Sequence, residues 1–291
     1  MSLILGVHVS QKSNVLDDKE PSEIHLAIQR DTNKLGLNAA QIFTYGPRLL
    51  VPNNINVKLV KQATEDIDLT VHSAYPTTSV WTSITPKKLS LFRHQMQSCN
   101  DISAWGMVLH INKVPPELIA ERMRELLPIA KQTNVKILLE MISAKSHPIL
   151  TYETYEKLDR MCDYINKATD PLLHKYYGIN LDTAHLWGAG NKVVQQYDTM
   201  KAYFANMKHA DKILQFHLNG SSSLLGSGMD KHEIPFSSHD LIWKDINVDN
   251  AGIRAVVEFA YERNIPIICE INRGSEQEAI KSLKTIKSYV I

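Results

Sequence analysis

Tyr177–Gly190 reads YGINLDTAHLWGAG. Its first six residues make a short apolar run that closes on Asp182, and a tight turn brings His185 three residues later, with Gly188 and Gly190 close behind. A run that is apolar on both faces suits a strand covered on two sides in a parallel sheet. A carboxylate at the mouth of such a strand needs a partner, a hydrogen-bond network or a metal to leave water. An aspartate in this position also serves as the N-cap of a helix. The stretch alone leaves both roles open.

Working outward, seven more runs of the same kind recur: Leu3–Val9, Ala40–Phe43, Leu69–His72, Met107–Ile111, Lys136–Met141, Ile213–Leu218 and Pro266–Glu270. Between them lie amphipathic segments that read as helices over about 21–35, 56–66, 87–104, 115–133, 151–168, 193–209, 250–264 and 275–289. Pro115 and Pro116 suit a first helical turn, whereas Pro128 falls inside the fourth helix and predicts a kink there. Eight strand–helix units in a chain a little above ~250 residues predict an α/β fold, a (β/α)8 TIM barrel filling 1–291 as a single domain. A doubly wound open sheet is the runner-up. The longest irregular stretch, Asn219–Val248, follows the seventh strand, where a long loop inside a compact domain is usually functional.

Composition narrows the classes. Of 291 residues, 44% are hydrophobic and 22% charged, ordinary for a globular chain with a large core. Net charge is +1, so any affinity for nucleic acid comes from a local basic patch. Cys99, Cys162 and Cys269 are far apart, which fits a reducing compartment without a disulfide framework. The N-terminus, MSLILGVHVS, has neither the basic leader nor the apolar length of a signal peptide. No stretch approaches the ~20 apolar residues of a membrane span. The expected location is therefore the cytoplasm or nucleus.

Strands three to eight end TVH72, VLH110, LLE140, NLD182, QFH217 and ICE270. With only 12 histidines and 31 acidic residues in the chain, six such endings in succession are unexpected by chance. In a barrel all six converge on the C-terminal mouth, where active sites sit. Taken singly, His72 or His110 reads more simply as a satisfied core histidine, Glu140 or Glu270 as half of a buried ion pair, and Asp230 and His232 as loop polarity. Taken together, five imidazoles and four carboxylates have too few Lys or Arg beside them to be neutralised in a core. Divalent ions resolve this: imidazoles mixed with carboxylates and no thiolate favour zinc, with manganese or iron as alternatives. Nine ligands exceed one four-coordinate site, so two or three ions are expected. Such a cluster suits phosphate-ester hydrolysis, since it lowers the pKa of a bound water from 15.7 to about 7 and offsets charge that develops in the transition state. The G-x-G fragments at 188–190 and 226–228 are too short to bind a dinucleotide.

These residues resemble the endonuclease IV family of apurinic/apyrimidinic (AP) endonucleases, zinc-dependent TIM barrels of base-excision repair. The resemblance runs through GVHVS at 6–10, FTYGPR at 43–48, VHSAY at 71–75, LLE at 138–140, NLDTAH at 180–185, FHLN at 216–219, GSGMDKH at 226–232 and CE at 269–270. It implies three zinc ions, with manganese or iron as alternatives at one site. His72, His110 and Glu140 would hold the first. Glu140 would bridge to a second, held also by Asp182, His217 and Glu270, and His185, Asp230 and His232 would hold the third. Glu140, Asp182 and Glu270 would be the catalytic carboxylates. The implied reaction is hydrolysis of the phosphodiester 5′ to an abasic site in double-stranded DNA, leaving a 3′-hydroxyl, with removal of blocking groups from 3′ ends. Arg48 and Tyr75 match residues that wedge into kinked DNA, a device whose cost is least where a base is already missing. Lys231 would join them on the DNA, and Lys12, Lys87, Lys88, Lys113, Lys145 and Arg273 follow strands on the same face. A monomer with no membrane association is expected.

Every ligand position is kept while many neighbours depart from the family pattern. H-P-G is His110-Ile-Asn, E-N-T-A-G is Glu140-Met-Ile-Ser-Ala, D-T-C-H is D-T-A-H, H-L-N-D ends in Gly220, D-R-H is Asp230-Lys231-His232 and E-T-P is Glu270-Ile-Asn. Lys231 in place of Arg keeps the charge but loses a bidentate phosphate fork. The pattern is similar to a divergent branch carried by large DNA viruses, for which a virion location is also implied. Two other readings compete: a sugar isomerase or epimerase with a single, carboxylate-rich metal on a related barrel, and a non-catalytic DNA-binding protein on the same scaffold.

Overall fold

A computed structural model describes residues 2–13, 16, 22–271 and 275–290. Eight parallel strands close a barrel: β1 (Leu5–His8), β2 (Ala39–Phe43), β3 (Asp68–His72), β4 (Gly106–Ile111), β5 (Lys136–Met141), β6 (Tyr177–Asp182), β7 (Ile213–His217) and β10 (Ile267–Cys269). The first and last of them pair, Leu5 with Ile267, so the sheet has no free edge and the open doubly wound alternative is excluded. Alternation within a strand divides its side chains. Along β5, Ile137, Leu139 and Met141 join the apolar core beneath the helices, while the intervening Glu140 is fully buried on the other face.

The surrounding helices are α1 (Ile24–Leu35), α2 (Val57–Ala63), α3 (Pro86–Asp101), α4 (Pro116–Thr133), α5 (Tyr155–Ala168), α6 (Thr183–Gly188), α7 (Tyr197–Asn206), α8 (Gly252–Arg263) and α9 (Glu276–Ser288). α4 and α8 stop on Asn134 and Asn264 in the left-handed conformation, and a strand begins within three residues of each cap. α4 continues through Pro128 as one element. Pro128 is exposed, as is Arg124, whose carbonyl the missing N–H leaves without an intrahelical partner.

Two features were not anticipated. α6 is an extra helix of six residues directly after β6, and it carries His185. The 219–248 segment is not wholly irregular: β8 (Gly220–Ser221) and β9 (His232–Glu233) pair antiparallel and stand His232 at the mouth. Among the described residues no helix is long and apolar enough to cross a membrane, and the three cysteines are buried and unbridged. Arg273 lies outside the described residues.

Candidate metal centre

Register decides which strand ends meet. β4 and β5 pair His110 with Glu140 in unbroken register. β6 and β7 do not: Ile179 pairs with Ile213 but Asn180 with Gln215, so Leu214 is an extra residue. This bulge brings Asp182 level with His217 instead of Phe216. Gly178 makes it feasible, since a Cβ there would lie 2.4 Å from Leu214 Cδ1.

Asp182 fills both roles that its sequence left open. Oδ1 accepts from the His185 backbone N–H at 2.8 Å and caps α6. Oδ2 accepts from Asn219 Nδ2 at 2.7 Å and lies 3.7 Å from His217 Nδ1 and 3.6 Å from His232 Nε2. Asn219 also accepts from the Glu270 backbone N–H at 2.8 Å, so one amide spaces two of the carboxylates. The loop after β8 is tied to α6 through Gly226 N–H to Trp187 O at 3.0 Å and Gly228 N–H to Gly188 O at 2.8 Å. Gly226 and Gly228 have φ of 69° and 71°, a turn that L side chains resist. It delivers Asp230 Oδ1 to 3.3 Å from His185 Nε2 and 2.9 Å from His232 Nε2.

Three donor groups result: His72, His110 and Glu140; Glu140, Asp182, His217 and Glu270; and Asp182, His185 and His232, with each group's donor atoms within 4.8 Å of one another. The third includes Asp182 where the sequence pointed to Asp230, which is 49% exposed but adjoins both histidines. Spacing fits an ion. Zinc bonds of about 2.0–2.2 Å imply a donor–donor edge of roughly 3.3 Å in a tetrahedron. His72 Nε2 and His110 Nε2 are 3.2 Å apart, and they lie 3.6 and 3.3 Å from Glu140 Oε2. His217 Nδ1 is 3.0 Å from Glu140 Oε1 and 3.2 Å from Glu270 Oε2. His72 Nδ1 is 2.8 Å from the Ser73 carbonyl, which can only accept, so the ring proton sits there and Nε2 faces its neighbours bare. Glu140 Oε2, both ring nitrogens of His185 and His232 Nε2 are buried without a hydrogen-bond partner, as metal donors would be.

Charge in the pocket is balanced within it. Burial works to raise Glu140 and Glu270, but His217 above all, with His110 for Glu140 and His232 for Glu270, holds both carboxyls well below the usual range. Burial works to lower His185, His217 and His232, yet the facing carboxylates lift all three, His232 to about 9. Those protons occupy the space that cations would take.

The centre floors an open cavity of about 470 Å³ lined also by Arg48, Tyr75, Lys231, His8, Phe43 and Ser222. Arg48 and Lys231 are exposed, whereas Tyr75 lies edge-on to His72 and tilted over His110, both 5.6 Å between ring centroids. Burial first and the centre's carboxylates second push its phenol up to about 12. Lys12, Lys87, Lys113 and Lys145 are exposed, but Lys88 is engaged by Ser79 and Ser83. His8 escaped the sequence reading, although LGVH8 also closes a strand on histidine; burial pushes its imidazole down to about 4.

A closed parallel barrel whose mouth gathers imidazoles and carboxylates defines the class. The family model described as a xylose isomerase-like TIM barrel, the AP endonuclease 2 family, matches residues 30–289, and the chain belongs to this family. A "Probable AP endonuclease" of African swine fever virus (isolate Tick/Malawi/Lil 20-1/1983) is 27% identical over 267 residues, covering 87% of this chain and 86% of the relative. A "Probable endonuclease 4" of Mycoplasmopsis pulmonis (strain UAB CTIP) is 26% identical over 285 residues, covering 91% of this chain and 92% of the relative. Among solved structures, AsfvAP:AG matches with a TM-score of 0.85 at 24% identity, covering 100% of both chains. Endonuclease IV from Thermus thermophilus matches at 0.71 and 19%, covering 98% of each. A D-tagatose 3-epimerase-like protein shares the fold as well, at 0.63 and 16%, covering 99% and 97%, so the fold does not by itself separate nuclease from epimerase.

Proposed function

We propose that this chain is a metal-dependent AP endonuclease that hydrolyses the phosphodiester 5′ to an abasic site in double-stranded DNA, leaves a 3′-hydroxyl, and also clears blocked 3′ ends. The observation that carries the proposal is the sharing of Glu140 between two groups of donors, with a third group abutting them, at the base of an open cavity. Three adjoining groups weigh against the single-metal isomerase. The relatives named as AP endonuclease and endonuclease 4 favour the nuclease.

Three zinc ions would be held by His72, His110 and Glu140; by Glu140, Asp182, His217 and Glu270; and by His185, Asp230 and His232, with manganese or iron able to replace zinc at one site. When bound, such ions supply an activated water and counter-charge for a phosphoryl transition state. The chain does the rest. Glu140, Asp182 and Glu270 are the catalytic carboxylates, set by strand register and by Asn219. Lys231 meets the DNA phosphates, and Arg48 and Tyr75 wedge into the duplex where a base is missing. The protein acts as a monomer, in cytoplasm, nucleus or virion.

Purified protein is expected to hold close to three zinc ions by elemental analysis and to nick a duplex oligonucleotide carrying one tetrahydrofuran abasic site. Glu270→Gln should lower the rate by about a hundredfold or more while circular dichroism stays native, since lesser changes around metal ligands already cost 10–100-fold. One ion or none, with the abasic duplex left intact, overturns the proposal. Metal-dependent interconversion of a ketose by the same preparation would favour the isomerase.

A further inference from the structure

Beneath the metal centre lies a buried amide that the proposed chemistry does not use. Gln41, on β2, is fully buried and makes four polar contacts. Its Oε1 lies 3.0 Å from His217 Nε2 and 3.0 Å from Gln215 Nε2, and its Nε2 lies 3.2 Å from Glu270 Oε1 and 3.1 Å from His8 Nδ1. Gln215 Nε2 also lies 3.3 Å from His217 Nε2, but the Gln41 oxygen is nearer, at 3.0 Å, and decides the assignment. The Glu270 carboxylate oxygen at 3.2 Å is an acceptor, so the amide nitrogen faces it. The amide oxygen then faces His217, and an oxygen that only accepts requires a proton on His217 Nε2. That leaves Nδ1, which points at Glu140, Asp182 and Glu270, as the nitrogen that would give up its proton to a metal. His8 Nδ1 accepts from the same amide nitrogen, so the proton of that neutral ring sits on Nε2, and His8 lines the cavity as a hydrogen-bond donor.

We propose that Gln41 is a positioning residue of the metal centre: its amide oxygen holds His217 with Nδ1 turned toward the three carboxylates, and its amide nitrogen holds Glu270 and His8. The proposal rests on His217 and Glu270 being metal ligands. Among the described residues no other side chain bonds both of them from below, and all four hydrogen-bonding valences of the amide are used. Gln215 buttresses the amide from β7, the strand that carries His217 itself. Partners of this kind fix ring orientation and raise ligand basicity.

The test uses full-length protein and two apolar replacements of similar length, Gln41→Met and Gln41→Leu. In metal-stripped, 15N-histidine-labelled protein, wild type should show a slowly exchanging Nε2–H that disappears in His217→Gln. In either Gln41 variant that proton should exchange at least about tenfold faster. By chelator competition, the variants should bind one zinc about 10–100-fold more weakly than wild type. An unchanged ring proton together with unchanged zinc affinity overturns the role of Gln41. Wild type that shows the slow proton but takes up no zinc instead overturns the metal-centre reading and leaves the Gln41–His217 bond standing.

Discussion

The Leu214 side chain occupies the space that a Cβ on Gly178 would need, with Cδ1 and Cγ at 2.4 and 2.5 Å from that position. The glycine therefore accommodates the β7 bulge, and the bulge in turn sets Asp182 beside His217. Gly178→Ala should destabilise the protein by roughly 1–3 kcal/mol, the usual range for overpacking. It should also lower zinc content by disturbing the shared carboxylate group. Urea unfolding and elemental analysis of the same preparation check both effects, and Gly178→Ala together with Leu214→Ala should recover part of each.

Asp182 joins helix capping to the metal centre, and two substitutions separate these duties. Asn is as good an N-cap as Asp, so Asp182→Asn should keep the α6 cap; its NH2 then faces the Asn219 amide in place of Oδ2, at a cost of about 1–3 kcal/mol, and zinc content drops. Asp182→Ala should lose the cap as well, at about 1 kcal/mol, and strand the Asn219 amide. Thermal melts of metal-stripped protein isolate the capping effect, and zinc content isolates the other.

Metal removal should expose a pH dependence with a defined sign. Burial opposes charge on His232, but Asp182, Asp230 and Glu270 lift its imidazole from 6.5 to about 9. A histidine raised on folding contributes stability in full below its unfolded value and loses it as pH rises through the folded one. His185 and His217 shift in the same direction. The melting temperature of metal-stripped protein should therefore fall between pH 6.5 and 9, by an amount on the order of 1–3 kcal/mol in stability. Zinc addition in that window should release protons, because an ion accepts only neutral imidazole; a weakly buffered titration reads this directly.

The rim should affect DNA binding and leave the metals alone. Lys231→Ala should weaken binding to abasic and intact duplex alike and flatten the salt dependence by about one phosphate contact, whereas Arg48→Ala should weaken binding to abasic duplex more than to intact duplex. Tyr75→Ala should weaken binding to abasic duplex in particular, by about 1–3 kcal/mol if the ring stacks at the gap. Zinc content should stay at the wild-type value in all three, and fluorescence anisotropy across a salt series distinguishes them.

The barrel was legible because apolar runs and amphipathic segments alternate with little interruption, and strands apolar on both faces admit few architectures. The eight residues that gather in the three donor groups were legible because each ends a strand or sits in a short loop motif, where residue type carries the information. What stayed hidden is three-dimensional accounting. Nothing in QFH217 signals that Leu214 is skipped in pairing with β6. Gln41 sits mid-strand in an apolar run, where an amide reads as an exception and not as a partner for a histidine 176 residues away. α6 was missed because six residues carry too little periodicity for a helix to be read from them.

The seam of the barrel joins β1 to β10, and it brings His8 and Glu270 within 3.6 Å from opposite ends of the chain. During synthesis, Glu270 leaves the ribosome long after His72, His110 and Glu140. A nascent chain thus carries the first trio of donors early, and the donor set closes only once β10 has docked on β1.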